Sequence, residues 1–207
     1  MFRPISLCTV AYKTVTKIIA NHLQVLLPNL ISPQPISFVP DRHIVNNIVI
    51  AQEVVHSMHK KIGKKWLMTI KVDLEKAYDR LNWYFIFYTL QQTGLRIHFS
   101  RLIMECVNSC SMNILWNGEV TEEFFPGSGI RQGDPLSPYI FVLCIEHLSH
   151  DITQAVADGN WKPIQLAKHK TPLTHLFFAD DLLLFAEASI DLTYTIDVVL
   201  ENYCQSS

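Results

Sequence analysis

A chain of 207 residues that is 49% apolar and 17% charged carries enough nonpolar surface for one large domain or two small lobes. Its formal charge of −2 neither favours nor disfavours a nucleic-acid partner, which answers to a local basic face and not to the sum. Five cysteines at 8, 106, 110, 144 and 204, odd in number and without a CxxC pair, fit reduced intracellular thiols better than a disulfide frame or a zinc site.

No apolar run reaches membrane-spanning length, and the opening Met1–Leu7 lacks the layout of a signal peptide, so a soluble chain without a membrane partner is expected. Both ends read as cuts through something longer. Residues 8–27 carry apolar side chains at helical spacing, with Pro28 as the expected stop. Three prolines between Leu30 and Arg42 make an extended connector. A second helix is expected from about Ile44 to His59, ending in the basic cluster Lys60, Lys61, Lys64 and Lys65, which suits either a solvated helix end or a phosphate contact. Trp66 to Val72 reads as a strand ending at Asp73, and Glu75 to Leu90 as a helix.

Phe99 to Cys110 is a further amphipathic helix, with Cys106 and Cys110 expected as buried thiols on one face. Met112–Trp116 and Val120–Phe125 flank Asn117-Gly118, the strongest hairpin-turn signal in the chain. The loop Gly127 to Pro138, with three glycines and two prolines, leads into a long apolar helix from Tyr139 to about Val156. His147 and His150 stand at i, i+3 on that helix without a third zinc ligand nearby. An irregular link over residues 158–172 precedes a hairpin, and a last helix is expected from Ser189 to Tyr203.

That hairpin, Leu173 to Ala186, sets Asp180 and Asp181 between two apolar runs of strand length, so a tight turn is expected to present both acids. Adjacent carboxylates repel and lose hydration where they are partly buried; a cation, a proton or full solvation removes that cost. The pair is therefore either a metal site or an exposed turn. Asp73, where a strand gives way to a helix, is either a helix N-cap or a third ligand. If these strands are neighbours in one antiparallel sheet, their tips converge and the three acids need divalent cations. Hard oxygens of this kind select Mg²⁺ or Mn²⁺, and two such ions about 3.5 to 4 Å apart clamp an in-line phosphoryl displacement.

Three segments, Lys71–Arg80, Gly129–Pro138 and Phe178–Asp181, occur in an order and at spacings that resemble the reverse transcriptases of non-LTR (LINE-type) retrotransposons, most of all those of plants. Arg3–Leu7 and Phe38-Val39-Pro40 also look like finger motifs of that family, so the resemblance covers nearly the whole chain. It implies an α+β fold: a polymerase palm with an antiparallel sheet backed by helices (residues 66–207), partial helical fingers (residues 1–65), truncation at both ends and no thumb. It implies RNA-directed DNA synthesis with an RNA template, a DNA primer and deoxynucleoside triphosphates, assisted by two Mg²⁺ or Mn²⁺ ions, in the nucleus or cytoplasm.

Carried over by residue, Asp73, Asp180 and Asp181 resemble the catalytic metal ligands, and Leu74 would add a backbone carbonyl. Tyr78 resembles the aromatic gate that excludes a ribose 2′-hydroxyl, the group that separates RNA from DNA precursors. Gln132 and Gly133 resemble the loop lining the nucleotide and template pocket, and Arg3 a fingers residue on the triphosphate, a task suited to its multi-donor head. The chain departs from the family pattern at Pro40-Asp41-Arg42, where glycine usually precedes the arginine, at Gln34–Phe38 and at Asn46. Those departures and the truncations leave two other readings: a catalytically dead retroelement remnant that at most binds RNA, and a maturase-like cellular relative.

Overall fold

The apolar run that precedes Asp73 forms the strand expected of it. A computed structural model of the protein describes residues 6–32, 44–60, 66–165, 172–178 and 181–207. Arg3, Gln34–Phe38, Pro40-Asp41-Arg42, Lys61, Lys64, Lys65 and Asp180 lie outside the described residues, as does the side chain of Asn46. Among the described residues the elements run α1 (Val10–Leu30), α2 (Ile44–Lys60), β1 (Leu67–Asp73), α3 (Trp83–Gln92), α4 (Ile97–Asn108), β2 (Leu115–Trp116), β3 (Glu119–Val120), α5 (Ser137–Ala157), β4 (His175–Phe178), β5 (Asp181–Glu187) and α6 (Ile190–Ser206). The fold is α+β, and none of these helices is long and apolar enough to cross a membrane.

The chain forms two compact units, one from residues 26–75 and 145–206, the other from residues 1–25, 76–144 and 207. The first holds a three-stranded antiparallel sheet in the order β1-β5-β4. Central β5 is buried at Leu182, Leu184, Phe185 and Ala186, which explains a near-continuous apolar run instead of an alternating one. One face of the sheet, carrying Leu176 and Phe185, packs with Val54 of α2 and Ile164, with Ile50, Ala51 and Met58 at the margin. Asn47 Nδ2 donates to the Phe177 carbonyl at 2.8 Å and fixes α2 against β4.

In the second unit α3 packs on α4. The helix expected from Glu75 to Leu90 is a correction. Residues 75–80 turn, and α3 starts only at Trp83, where the Asn82 side chain accepts from the Tyr84 amide. The spacing of Tyr78, Leu81, Phe85 and Tyr88 imitates a helix, but Lys76 takes a positive φ of 55°. The Tyr78 and Leu81 carbonyls then bond to the amides of Ile130 and Gly129 instead of to a following turn.

Three smaller expectations also shift. α1 continues two residues past Pro28, because one missing donor this near the end of the helix does not stop it. Cys110 lies beyond the end of α4, so of that pair Cys106 alone is a buried helix thiol. The Asn117-Gly118 hairpin is present, with φ of 50° and 87° as a two-residue primed turn requires, but its strands are only two residues each.

His175, on β4, lies in the first unit's core with Thr174 Oγ1 2.9 Å from Nδ1 and Ser149 Oγ 3.1 Å from Nε2. Burial lowers its pKa from 6.5 to about 4. The unfolded chain therefore binds a proton between those values that the folded chain refuses, so this contribution to stability is constant above pH 6.5 and declines as the pH falls toward 4. Urea denaturation at pH 7 and pH 4.5 should show the parent losing about 2 to 3 kcal/mol more than His175→Gln, which has no ring to protonate.

Candidate active site

Two acids meet at one end of the sheet in the first unit. Asp73 is the last residue of β1 and Asp181 the first of β5, and they are direct partners in the antiparallel register. Partners in such a ladder project to the same face, where opposed like charges destabilise the pair unless something neutralises them. Lys71 lies two residues earlier on β1, on that same face by the strand's period, and its Nζ is 3.0 Å from Asp181 Oδ2.

Asp73 caps no helix, because the helix it was expected to open begins ten residues later under Asn82. The cap reading of Asp73 is thereby overturned. Asp181, expected on the turn, stands instead at the first ladder position of β5. Asp180 immediately precedes it in sequence, and Leu74, half-buried, immediately follows β1.

Among the described residues no group of three His, Cys, Asp or Glu side chains is gathered that could hold a metal ion. The acids present nevertheless fit Mg²⁺ or Mn²⁺. They are two hard-oxygen donors on one face at a partly open strand end, and a cationic ammonium is already drawn to one of them.

The second unit contains Tyr78, Gln132 and Gly133. The Tyr78 ring stacks on Phe141 with centroids 4.8 Å apart and 18° between planes, while its carbonyl accepts from the Ile130 amide at 2.8 Å. Gly129 permits this approach: its φ is 85°, and a Cβ there would fall 2.7 Å from the Asp79 carbonyl oxygen. Trp83 Nε1 donates to the Gly129 carbonyl at 2.8 Å and holds the same closure from the far side.

Gln132 and Gly133 form a loop tip between two buried charges, Arg131 and Asp134. The Arg131 guanidinium donates to the carbonyls of Cys106 at 3.2 Å and Val107 at 2.9 Å, in the last turn of α4, where a helix leaves acceptors unpaired and its dipole is negative. It also donates to the Tyr12 hydroxyl, which lies 2.9 Å from Asp134 Oδ2. Asp134 Oδ1 accepts from the Leu136 amide at 3.0 Å, just before α5, and the Gln132 carbonyl accepts from the Ser6 amide at 3.0 Å. The tip is thus held on both flanks and through its own backbone. Burial and the nearby Asp134 carboxylate push the Tyr12 phenol well above its ordinary pKa, so it stays a neutral donor.

Arg131, Asp134 and Tyr12 were not singled out from sequence. The available signal was two opposite charges at i, i+3 flanking a glycine in a loop that leads into an apolar helix. Nothing in the sequence pointed to Tyr12, whose contacts lie 94 and 122 residues away.

The pattern of the family described as Reverse transcriptase (RNA-dependent DNA polymerase) matches residues 1–206. The retrovirus-related Pol polyprotein from the type-2 retrotransposable element R2DM of Drosophila melanogaster is 29% identical over 97% of this chain, which covers 18% of that protein. The transposon TX1 149 kDa protein of Xenopus laevis is 28% identical over 92% of the chain and 14% of that protein. The chain therefore spans less than a fifth of the length of either relative. A telomerase structure from Candida tropicalis, in complex with a fragment of telomeric RNA, aligns with a TM-score of 0.62 at 15% identity, over 90% of this chain and 31% of that one. These likenesses agree with the resemblance drawn from the three motifs and with an α+β polymerase fold.

Replacing Arg131 with Met removes donors from the end of α4 and strands a buried carboxylate, and should cost about 3 to 5 kcal/mol in urea denaturation. Tyr12→Phe should cost only about 1 kcal/mol. The double variant Arg131→Met/Asp134→Asn should lose less than the sum of its single changes, as expected of one coupled network.

Proposed function

The chain belongs to the reverse transcriptase (RNA-dependent DNA polymerase) family, and from that premise we propose that it carries the nucleotidyl-transfer centre of a retrotransposon enzyme. The observation that supports this most directly is the register pairing of Asp73 with Asp181 at one end of the sheet. Asp73, Asp180 and Asp181, with the Leu74 carbonyl, would hold two Mg²⁺ or Mn²⁺ ions. Bound there, the ions would supply charge neutralisation to the triphosphate and to the attacking and leaving oxygens.

The protein's own part in the proposed reaction is placement. A primer 3′-hydroxyl attacks the α-phosphate of a deoxynucleoside triphosphate and pyrophosphate leaves, so no residue need form a covalent bond to substrate. Tyr78 is proposed to pack beneath the sugar of the incoming nucleotide. Its carbonyl is tied to Ile130 and its ring to Phe141, so the side chain is poorly placed to yield to a 2′-hydroxyl. Gln132 and Gly133, at the anchored loop tip, are proposed to face the nucleotide and template, and Arg3 to hold the triphosphate. RNA is the proposed template and a DNA strand the proposed primer.

Calorimetric titration with Mn²⁺ should show saturable binding to the parent chain, and Asp73→Asn or Asp180→Asn should weaken it at least about tenfold, since each removes a charged ligand. Indistinguishable curves for parent and variants would instead favour a remnant that folds without a working centre. In primer extension on an RNA template, Tyr78→Val should narrow the preference for deoxy- over ribonucleotides by roughly ten- to a hundredfold. An unchanged preference would remove Tyr78 from the gate.

A further inference from the structure

A positive charge already lies against one acid of the pair. Lys71 and Asp181 are diagonal neighbours on one face of the β1–β5 ladder, because Lys71 registers with Leu183, two positions beyond Asp181. The lysine Nζ lies 3.0 Å from Asp181 Oδ2, while the two side chains remain 63% and 36% exposed. Asp73 is directly opposite Asp181 in the register, so the ammonium neutralises one of two like charges set against each other across the ladder.

We infer that Lys71 is the built-in counter-cation of the proposed metal centre: it neutralises Asp181 in the metal-free protein and yields that carboxylate when a divalent ion binds. The inference rests on the reading of Asp73 and Asp181 as metal ligands. A lysine suits such an exchange. Its ammonium is a compact, strongly hydrated point charge on a flexible stem, and at this exposure it can return to water at small cost. An arginine fork could grip the carboxylate with two donors and would be harder to displace. Lys71 is accordingly a positioning residue that stabilises the metal-free sheet and competes with metal loading.

Calorimetric Mn²⁺ titration at fixed ionic strength and thermal melting with and without Mn²⁺ read both consequences. Lys71→Met should bind Mn²⁺ roughly two- to fivefold more tightly, the range an exposed ion pair allows. It should also melt lower than the parent without metal, and gain more on adding Mn²⁺. Lys71→Arg should bind Mn²⁺ no more tightly than the parent. Lys162→Met removes the same charge from an exposed position after α5 and should leave the affinity unchanged.

Affinity that stays equal or weakens in Lys71→Met, or rises equally in Lys162→Met, overturns the inference while the metal centre stands, provided Asp73→Asn weakens binding. If Asp73→Asn leaves the parent's Mn²⁺ binding intact, the metal centre itself falls, and the role of Lys71 falls with it.

Discussion

The register of β1 against β5 is the constraint on which the candidate centre depends. A slip of one residue would turn Asp73 to the opposite face from Asp181, because side chains alternate along a strand. The core forbids that slip. Val72 and Ile70 pair with Leu182 and Leu184 on one face, while Leu183 and Phe185 join the cluster around Val54 on the other. β1 alternates, with Met68, Ile70 and Val72 half-buried and Thr69, Lys71 and Asp73 exposed, so a one-residue slip would turn its apolar set outward. The same burial that fixes the strands thus forces two carboxylates into direct opposition, and the cost of their repulsion is a product of the fold's own packing.

The second unit holds its loop tip by a different means. Strand residues are placed by ladder and core, but a loop has neither, and Gln132 and Gly133 are held instead by buried polar groups on each side. A buried pair such as Arg131 and Asp134 gives little net stability over an apolar replacement, yet neither partner can be removed singly without leaving a charge unpaired. That asymmetry suits a tip whose position matters more than its stability. The Arg131 donors that orient the loop also satisfy carbonyls at the end of α4, so loop geometry and helix termination are one arrangement.

Local pattern made some of this legible and long-range bonding concealed the rest. The strand ending at Asp73, the hairpin β4–β5, the Asn117-Gly118 turn and the long buried helix α5 follow from period, turn chemistry and apolar length. The helix expected from Glu75 failed because its apolar spacing was right while its carbonyls were claimed by Gly129 and Ile130, about fifty residues away in sequence. Whether Asp73 caps a helix could not be decided locally. It turned on where the next helix begins, and Asn82 answers that question. Tyr78, Gln132 and Gly133 were singled out only through resemblance, since a tyrosine at helical spacing and a glycine-rich loop are ordinary on physical grounds alone.

A second titratable cluster in the first unit sharpens the case for the strand acids. Glu146, His147 and His150 lie together on α5, and on residue type alone they are better zinc ligands than two aspartates. Their bonds commit them otherwise. The Glu146 carboxylate accepts from both the amide and the hydroxyl of Ser32, at the foot of the segment that follows α1, and His150 Nε2 lies 3.4 Å from the same Glu146 oxygen. Burial lowers the His147 pKa, as expected of an imidazole held neutral against a helical core. The Glu146 oxygen that takes these bonds is buried and held by Ser32 from two atoms, while its other oxygen has no partner among the described residues. Asp73 and Asp181 differ in that respect: the contact seen at Asp181 is an exchangeable ammonium, and both carboxylates stand at strand ends where a hydrated ion can reach them.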